Sequence, residues 1–203
     1  KPFTIGIAGD SGAGKDVFAN SLSDLFGAHS VVKMSGDNYH LWDRHKPMWQ
    51  VFTHLNPMAN DLERYTRDFL ALADGRSITT QKYDHQTGKM TKPERIKSND
   101  FIIASGLHAF YPPILRDTLA LKIFLDMDDK LRRYFKTERD IKIRGHTEEK
   151  VKQSLKEREI DAEKFIKPQL TYADLIFSLK PLHPLVLKNI DASKKIRLKL
   201  IVT

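Results

Sequence analysis

Apolar residues along this chain recur in two alternating rhythms. Residues 3–8 form a short run of β-branched and small side chains around Ile5 and Ile7, without a polar face. Such a run predicts a strand buried on both sides. A glycine-rich turn follows, and then Phe18, Leu22, Leu25 and Phe26 fall at helical spacing over 16–26. Residues 31–34 predict a second short strand. Leu62, Tyr65, Phe69, Leu70 and Leu72 predict an amphipathic helix over 61–74, stopped by Gly75. Residues 76–99 are polar and broken by Gly88 and Pro93, which predicts an excursion from the core, built as a small hairpin.

The rhythm then resumes, with buried strands predicted over 101–104 and 119–125. A charged helix is predicted over 128–143, ended by Gly145. Thr147 is placed to cap a further helix, with Glu148 and Glu149 in its electropositive first turn. Residues 173–179 read as a strand. Residues 195–200 alternate strictly between basic and apolar, predicting an edge strand with one wet basic face. Strand and helix alternate throughout, without internal repeats, which predicts an α/β fold: a mostly parallel sheet flanked by helices.

Composition sharpens this picture. Of 203 residues, 40% are hydrophobic and 30% charged, enough apolar matter for a core, and disorder is excluded. Lys and Arg number 34 against 26 Asp and Glu, a formal charge of +8 that favours anionic partners. That charge is mixed with acid, as over 148–159, and no aromatic–basic stacking motif occurs, so no nucleic-acid partner is expected. With no cysteine, disulfides, thiolate zinc sites and a cysteine nucleophile are excluded. No histidine pair has zinc-like spacing. No apolar run approaches the roughly 18 residues of a membrane span, so a cytoplasmic protein without a membrane partner is expected. The first residue is Lys1 rather than Met, which is compatible with a piece of a longer chain. The oligomeric state is left open, a homo-oligomer included.

The chemistry begins at Gly9, Asp10, Ser11, Gly12, Ala13, Gly14 and Lys15, which match G-x-x-x-x-G-K between the first strand and the first helix. That context is what a phosphate-binding P-loop requires. Glycines let the backbone curl so that its N–H groups point inward, and the following helix adds its positive end. Lys15 is expected on the β- and γ-phosphates of a bound nucleotide. One position departs from the motif: Asp16 stands where Ser or Thr would supply a hydroxyl to Mg²⁺. A carboxylate there is tolerable only with a cation between it and the phosphates.

Downstream, Ser35, Gly36, Asp37, Asn38, Tyr39 and His40 close the second strand. Together with Asp43-Arg44, residues 53–57, Gly106-Leu107-His108, and Arg139-Asp140 followed by Arg144-Gly145, they make the chain resemble the phosphoribulokinase/uridine kinase family over about residues 3–180. The resemblance implies a P-loop kinase fold with a helical lid, in one domain over 1–203. Residues 76–99 would be its substrate-side excursion, 128–160 its lid region, and 181–203 a tail of unassigned role. It implies transfer of the γ-phosphate of MgATP to a hydroxyl of a small-molecule acceptor, a sugar phosphate or a nucleoside. Asp37 matches the carboxylate that orients and deprotonates the acceptor, and Arg139 and Arg144 match the lid arginines that close over the transferring group. His40, Arg44, His54, Tyr83, His85 and His108 match acceptor-binding positions. The basic surplus leans toward a phosphorylated acceptor.

In relatives the strand before Gly106 normally ends in Glu; here that position is Ser105. A carboxylate on the P-loop and a hydroxyl on the strand reverse the usual pair and leave the local charge unchanged. Two readings follow: Asp16 and Ser105 have exchanged roles around one Mg²⁺, or both contacts are lost in an inactive nucleotide-sensing module. Retention of Lys15, Asp37, Arg139 and Arg144 favours exchange.

Overall fold

The computed structural model describes residues 1–142, 145, 147–183 and 196–203. In chain order the elements are β1 (Phe3–Gly9), α1 (Lys15–Phe26), β2 (Val31–Ser35), α2 (Met48–Val51) and α3 (Leu62–Ala73). Four short strands follow: β3 (Ile78–Thr80), β4 (Tyr83–Asp84), β5 (Lys89–Met90) and β6 (Glu94–Ile96). Then come β7 (Phe101–Gly106), α4 (Pro113–Thr118), β8 (Leu121–Met127), α5 (Asp129–Lys142), α6 (Glu148–Asp161), β9 (Leu175–Pro181) and β10 (Leu198–Val202).

Six strands form one sheet in the order β10-β9-β8-β1-β7-β2. All neighbours run parallel except β10, which is antiparallel to β9. β1 and β7 lie at the centre and are buried on both faces, hence their unbroken apolar runs. Ile5, Ile7 and Ile103 pack with Ala19, Phe18 and Leu22 of α1 on one face. Ala8, Ile102 and Ala104 pack with Tyr65 and Phe69 of α3 and Leu115 of α4 on the other.

The chain leaves β1 toward β2 and leaves β7 toward β8, in opposite directions across the sheet. That divergence opens a crevice at the carboxyl ends of the two central strands, where doubly wound sheets bind ligands.

Most predicted elements stand within two residues of their expected bounds, and the departures have physical causes. The strand expected over 119–125 begins at Leu121, because Leu119 turns in from the loop and its methyls fill the space a side chain on Gly6 would take. The strand expected over 173–179 begins at Leu175, because the Asp174 carboxylate accepts the Lys122 N–H at 2.8 Å. The polar excursion is two ribbons, β3 with β6 and β4 with β5. The charged helix is described to Lys142; Ile143, Arg144 and His146 lie outside the described residues. The alternating strand expected over 195–200 is β10, Leu198–Val202, residues 184–195 lying outside the described residues, and its apolar side chains Leu198, Leu200 and Val202 are exposed as well. Leu198 and Leu200 border a groove shared with Val17 and Phe18 of α1. No helix among the described residues is long and apolar enough to cross a membrane.

Candidate active site

The turn after β1 is shaped by what surrounds it. A side chain on Gly9 would meet the Leu125 carbonyl at 2.5 Å, and one on Gly12 would press on Lys136 of α5. Gly12 and Gly14 have φ of 91° and 88°, in the left-handed region that glycine adopts freely. α1 then starts without any side-chain cap. Its first N–H groups therefore lack a side-chain partner at the mouth of the turn, the arrangement that binds phosphate. Lys15 donates to the carbonyls of Gly9 and Asp10, both at 2.9 Å. Burial lowers the Lys15 pKa, and Asp37, Asp16 and Asp10 work against that by favouring the charged form.

A cleft of about 920 Å³ runs from this turn along the carboxyl ends of β1, β2 and β7. Ser11, Gly12, Gly14, Lys15 and Asp16 line one part; Asp37, His40, Arg44, His54, Tyr83 and His85 line another, with Ser105 and Arg139 also on its walls. Residues assigned to phosphate, base, lid and acceptor roles thus share one cavity. Four sequence-derived candidates do not line it: Gly9 and Ala13 are buried in the turn itself, and Asp10 and His108 are held elsewhere. The Asp10 carboxylate accepts the Ser11 N–H and lies 3.3 Å from Arg132, so its side chain belongs to the loop's own scaffold. His108 is buried, with Nε2 3.4 Å from the His54 carbonyl oxygen, and stands behind the wall. Arg144 lies outside the described residues.

Asp37 follows β2 in a tight turn where Gly36 passes over Gly106. A side chain on Gly106 would sit 3.1 Å from the Gly36 Cα, so the two glycines set how close the β2 and β7 ends approach. Gly106→Ala is expected to displace the Asp37 turn and lower turnover by roughly 10²-fold while the protein stays folded. Circular dichroism beside steady-state kinetics would check it, and unchanged turnover would contradict it.

Histidines surround the carboxylate. His85 Nε2 lies 3.2 Å from Asp37 Oδ2, and His40 Nε2 lies 3.6 Å from Oδ1. Burial pushes the Asp37 carboxyl up, but the His85 hydrogen bond and the imidazoles of His40, His85 and His54 outweigh it together, holding the group well below the ordinary carboxylate range. Burial also lowers His40 and His54, and takes His108 down to about 4. Near neutral pH the result is an ionised carboxylate, with the buried His40, His54 and His108 rings neutral.

The motifs flanking Asp37 hold the wall in place. Asn38 Oδ1 accepts the Tyr83 N–H at 2.9 Å, and Asp43 Oδ1 accepts the Met90 N–H at 3.2 Å. These two side chains clip the β4–β5 ribbon over the cleft, and the Arg44 guanidinium donates to the His85 carbonyl at 2.8 Å. Thr53 donates to Asp161 at the end of α6, at 2.8 Å.

Sequence reasoning missed three contributors. Trp49 stacks on Tyr83 at 6.1 Å between centroids and meets His40 edge-on. Lys136, which reads as part of a solvated charged helix, is buried and donates to Asp140 at 3.0 Å. Its one sequence signal was the i, i+4 spacing to an acid. Asn60 is buried against His40, and no sequence signal marked it.

Comparison with known proteins bears on the family and the fold. The sequence model of the Phosphoribulokinase / Uridine kinase family matches residues 4–184. The chain is 34% identical over 197 residues to a phosphoribulokinase of Synechocystis sp., covering 97% of this chain and 58% of that protein. It is 33% identical over 182 residues to a uridine kinase of Chloroflexus aurantiacus, covering 87% of this chain and 86% of that one. The chain spans about half the length of the phosphoribulokinases it matches. Among solved structures, phosphoribulokinase from Rhodobacter spheroides shares its fold, with a TM-score of 0.73 over 90% of this chain and 72% of that chain at 22% identity.

Proposed function

As the chain belongs to the phosphoribulokinase/uridine kinase family, we propose that it transfers the γ-phosphate of ATP to a hydroxyl of a phosphorylated sugar. The observation that carries this reading is the opening of Lys15 and the ionised Asp37 into one cleft at the crossover of the sheet. The P-loop N–H groups and Lys15 hold the triphosphate. Asp37 orients the acceptor hydroxyl and receives its proton, and Arg139 stabilises charge on the transferring group. Arg144 is assigned the same duty by its match to the family alone. His40, Arg44, His54, Tyr83 and His85 form the acceptor wall, and His108 supports it through the His54 backbone. A phosphorylated acceptor is favoured over a nucleoside because Arg44, Lys150 and Arg158 line the cleft in addition to the P-loop and lid cations.

Asp16 and Ser105 both reach the same cleft and offer only oxygen, a donor set that fits Mg²⁺ completed by phosphate oxygens. The metal, when bound, neutralises charge on the phosphates. Asp16→Ser is expected to lower magnesium-dependent turnover by about 10-fold or more, and adding Ser105→Glu to restore part of it. A double variant no better than Asp16→Ser would count against the exchange.

Magnesium-dependent ADP release against uridine, cytidine, ribulose 5-phosphate and other pentose and hexose phosphates tests the whole reading. Turnover with a phosphorylated sugar is the expected result. ATP binding with no turnover on any acceptor would favour a nucleotide-sensing module.

A further inference from the structure

His40 and Asn60 face each other across an isolated β-bridge, and their side chains meet behind Asp37. The Asn60 amide nitrogen lies 3.0 Å from the His54 carbonyl oxygen and 2.9 Å from that of Asn56. Only an NH₂ group can donate to both, so the orientation of the amide is fixed. Its Oδ1 then faces His40 Nδ1 at 2.7 Å. An amide oxygen can only accept, so Nδ1 carries the ring proton. In the neutral imidazole Nε2 is left with a bare lone pair, and it is this atom that lies 3.6 Å from Asp37 Oδ1.

We propose, resting on the kinase reading above, that the base for the acceptor hydroxyl is the Asp37–His40 pair, with Asn60 as the positioning residue that keeps His40 Nε2 open. The acceptor O–H bond breaks, the oxygen's electron pair forms the new bond to phosphorus, and the proton passes to Asp37 Oδ1. The bond from that phosphorus to the nucleoside diphosphate breaks, leaving its electrons on the diphosphate oxygen. The proton then moves from Asp37 Oδ1 to His40 Nε2, giving an imidazolium beside a carboxylate, and it is lost to solvent as products leave.

The open imidazole nitrogen beside the carboxylate gives the proton taken by Asp37 a second resting place within the pair. Burial foremost keeps His40 below 6.5. The groups facing it are Asp37, His54, Tyr83, His85, His108 and Arg158. Of these, Asp37 favours its protonation, while Arg158 and His85 oppose it.

Long-range ¹H–¹⁵N correlation of the histidine rings reads the tautomer in the resting wild type, the His40 signals being assigned by their loss in His40→Gln. The expected result is a proton on Nδ1 and none on Nε2 near neutral pH. In kinetics, kcat should fall on the acid side as His40 takes up a proton and loses its lone pair. His40→Gln should lower kcat by about 10²-fold and abolish that acid limb. Asn60→Asp sets a carboxylate against Nδ1–H and should move the limb upward by about one pH unit or more, with the acceptor KM changed less. If Asn60→Asp does not fold, the wild-type spectrum and the His40→Gln profile decide. A proton on Nε2 in the wild type, or an unchanged acid limb in His40→Gln, would overturn the proposal. A wild type that transfers phosphate to no acceptor would overturn the kinase reading, and with it the dyad. The spectrum would still decide the tautomer alone.

Discussion

Asp37→Asn is expected to lower kcat by about 10³-fold while ATP binding is retained. The substitution keeps the shape of the side chain and removes the charge and basicity on which the proposed proton transfer depends. Its neighbours make the loss hard to compensate. His85 lies 3.2 Å from Oδ2, and the other cleft-lining carboxylates, Asp16, Asp140 and Glu157, stand on α1, α5 and α6. Lys15 keeps its two loop carbonyls at 2.9 Å, so the phosphate cradle should be intact. Calorimetric titration with ATP beside steady-state kinetics separates the two effects. Equal losses in nucleotide affinity and in turnover would mean that Asp37 holds the fold or the nucleotide rather than the proton.

Lys136→Met is expected to destabilise the protein by about 3 kcal/mol, because it leaves the Asp140 carboxylate buried with one cation fewer. The Lys136 side chain is 1% exposed and that of Asp140 5%, and Arg139 is a further charged contact of the carboxylate at 3.0 Å. Replacing both partners, as in Lys136→Met with Asp140→Leu, should regain part of the loss, since Arg139 is itself one-third exposed. The pair also carries a pH signature. Burial, with Arg158 adding to it, lowers the Lys136 ammonium from 10.5 to about 8, against the pull of Asp140. The unfolded chain therefore holds more protons than the folded one between about pH 8 and 10.5, and the Lys136 contribution to stability should rise with pH across that window. Below it, both states are protonated and the penalty of burying the charge stands in full. Urea unfolding at a series of pH values would show a steeper rise in the wild type than in Lys136→Met. Parallel curves would place the ammonium in solvent.

What was legible in the sequence followed from local rules. The G-x-x-x-x-G-K turn needs only its own glycines and a strand before and a helix after, and all are present around Lys15. Asp37 was reached through the resemblance to the family, which sets a carboxylate at the end of the second strand; the strand order then puts that strand end at the crevice. Lys136 was not legible, because a buried ion pair and a solvated one share the same i, i+4 spacing; only the packing of α5 against Gly12 decides between them. Asn60 escaped notice because its meaning lies in three contacts with His40, His54 and Asn56, none of which has a periodic signature. His108 was assigned to the acceptor by its motif, but the Leu107 and His54 carbonyls are drawn inward by Gln169 and Asn60, and the ring follows them behind the wall.

In the proposed reaction, Lys15 and Asp37 work on one phosphoryl group in one cleft. The most direct test of this follows isotopically labelled terminal phosphate of ATP by ³¹P NMR, with ribulose 5-phosphate and uridine offered separately in the presence of magnesium. The expected result is label appearing as a new phosphate ester on the sugar phosphate, with none formed by Asp37→Asn. Label appearing only as inorganic phosphate, or remaining on ATP with either acceptor, would contradict it.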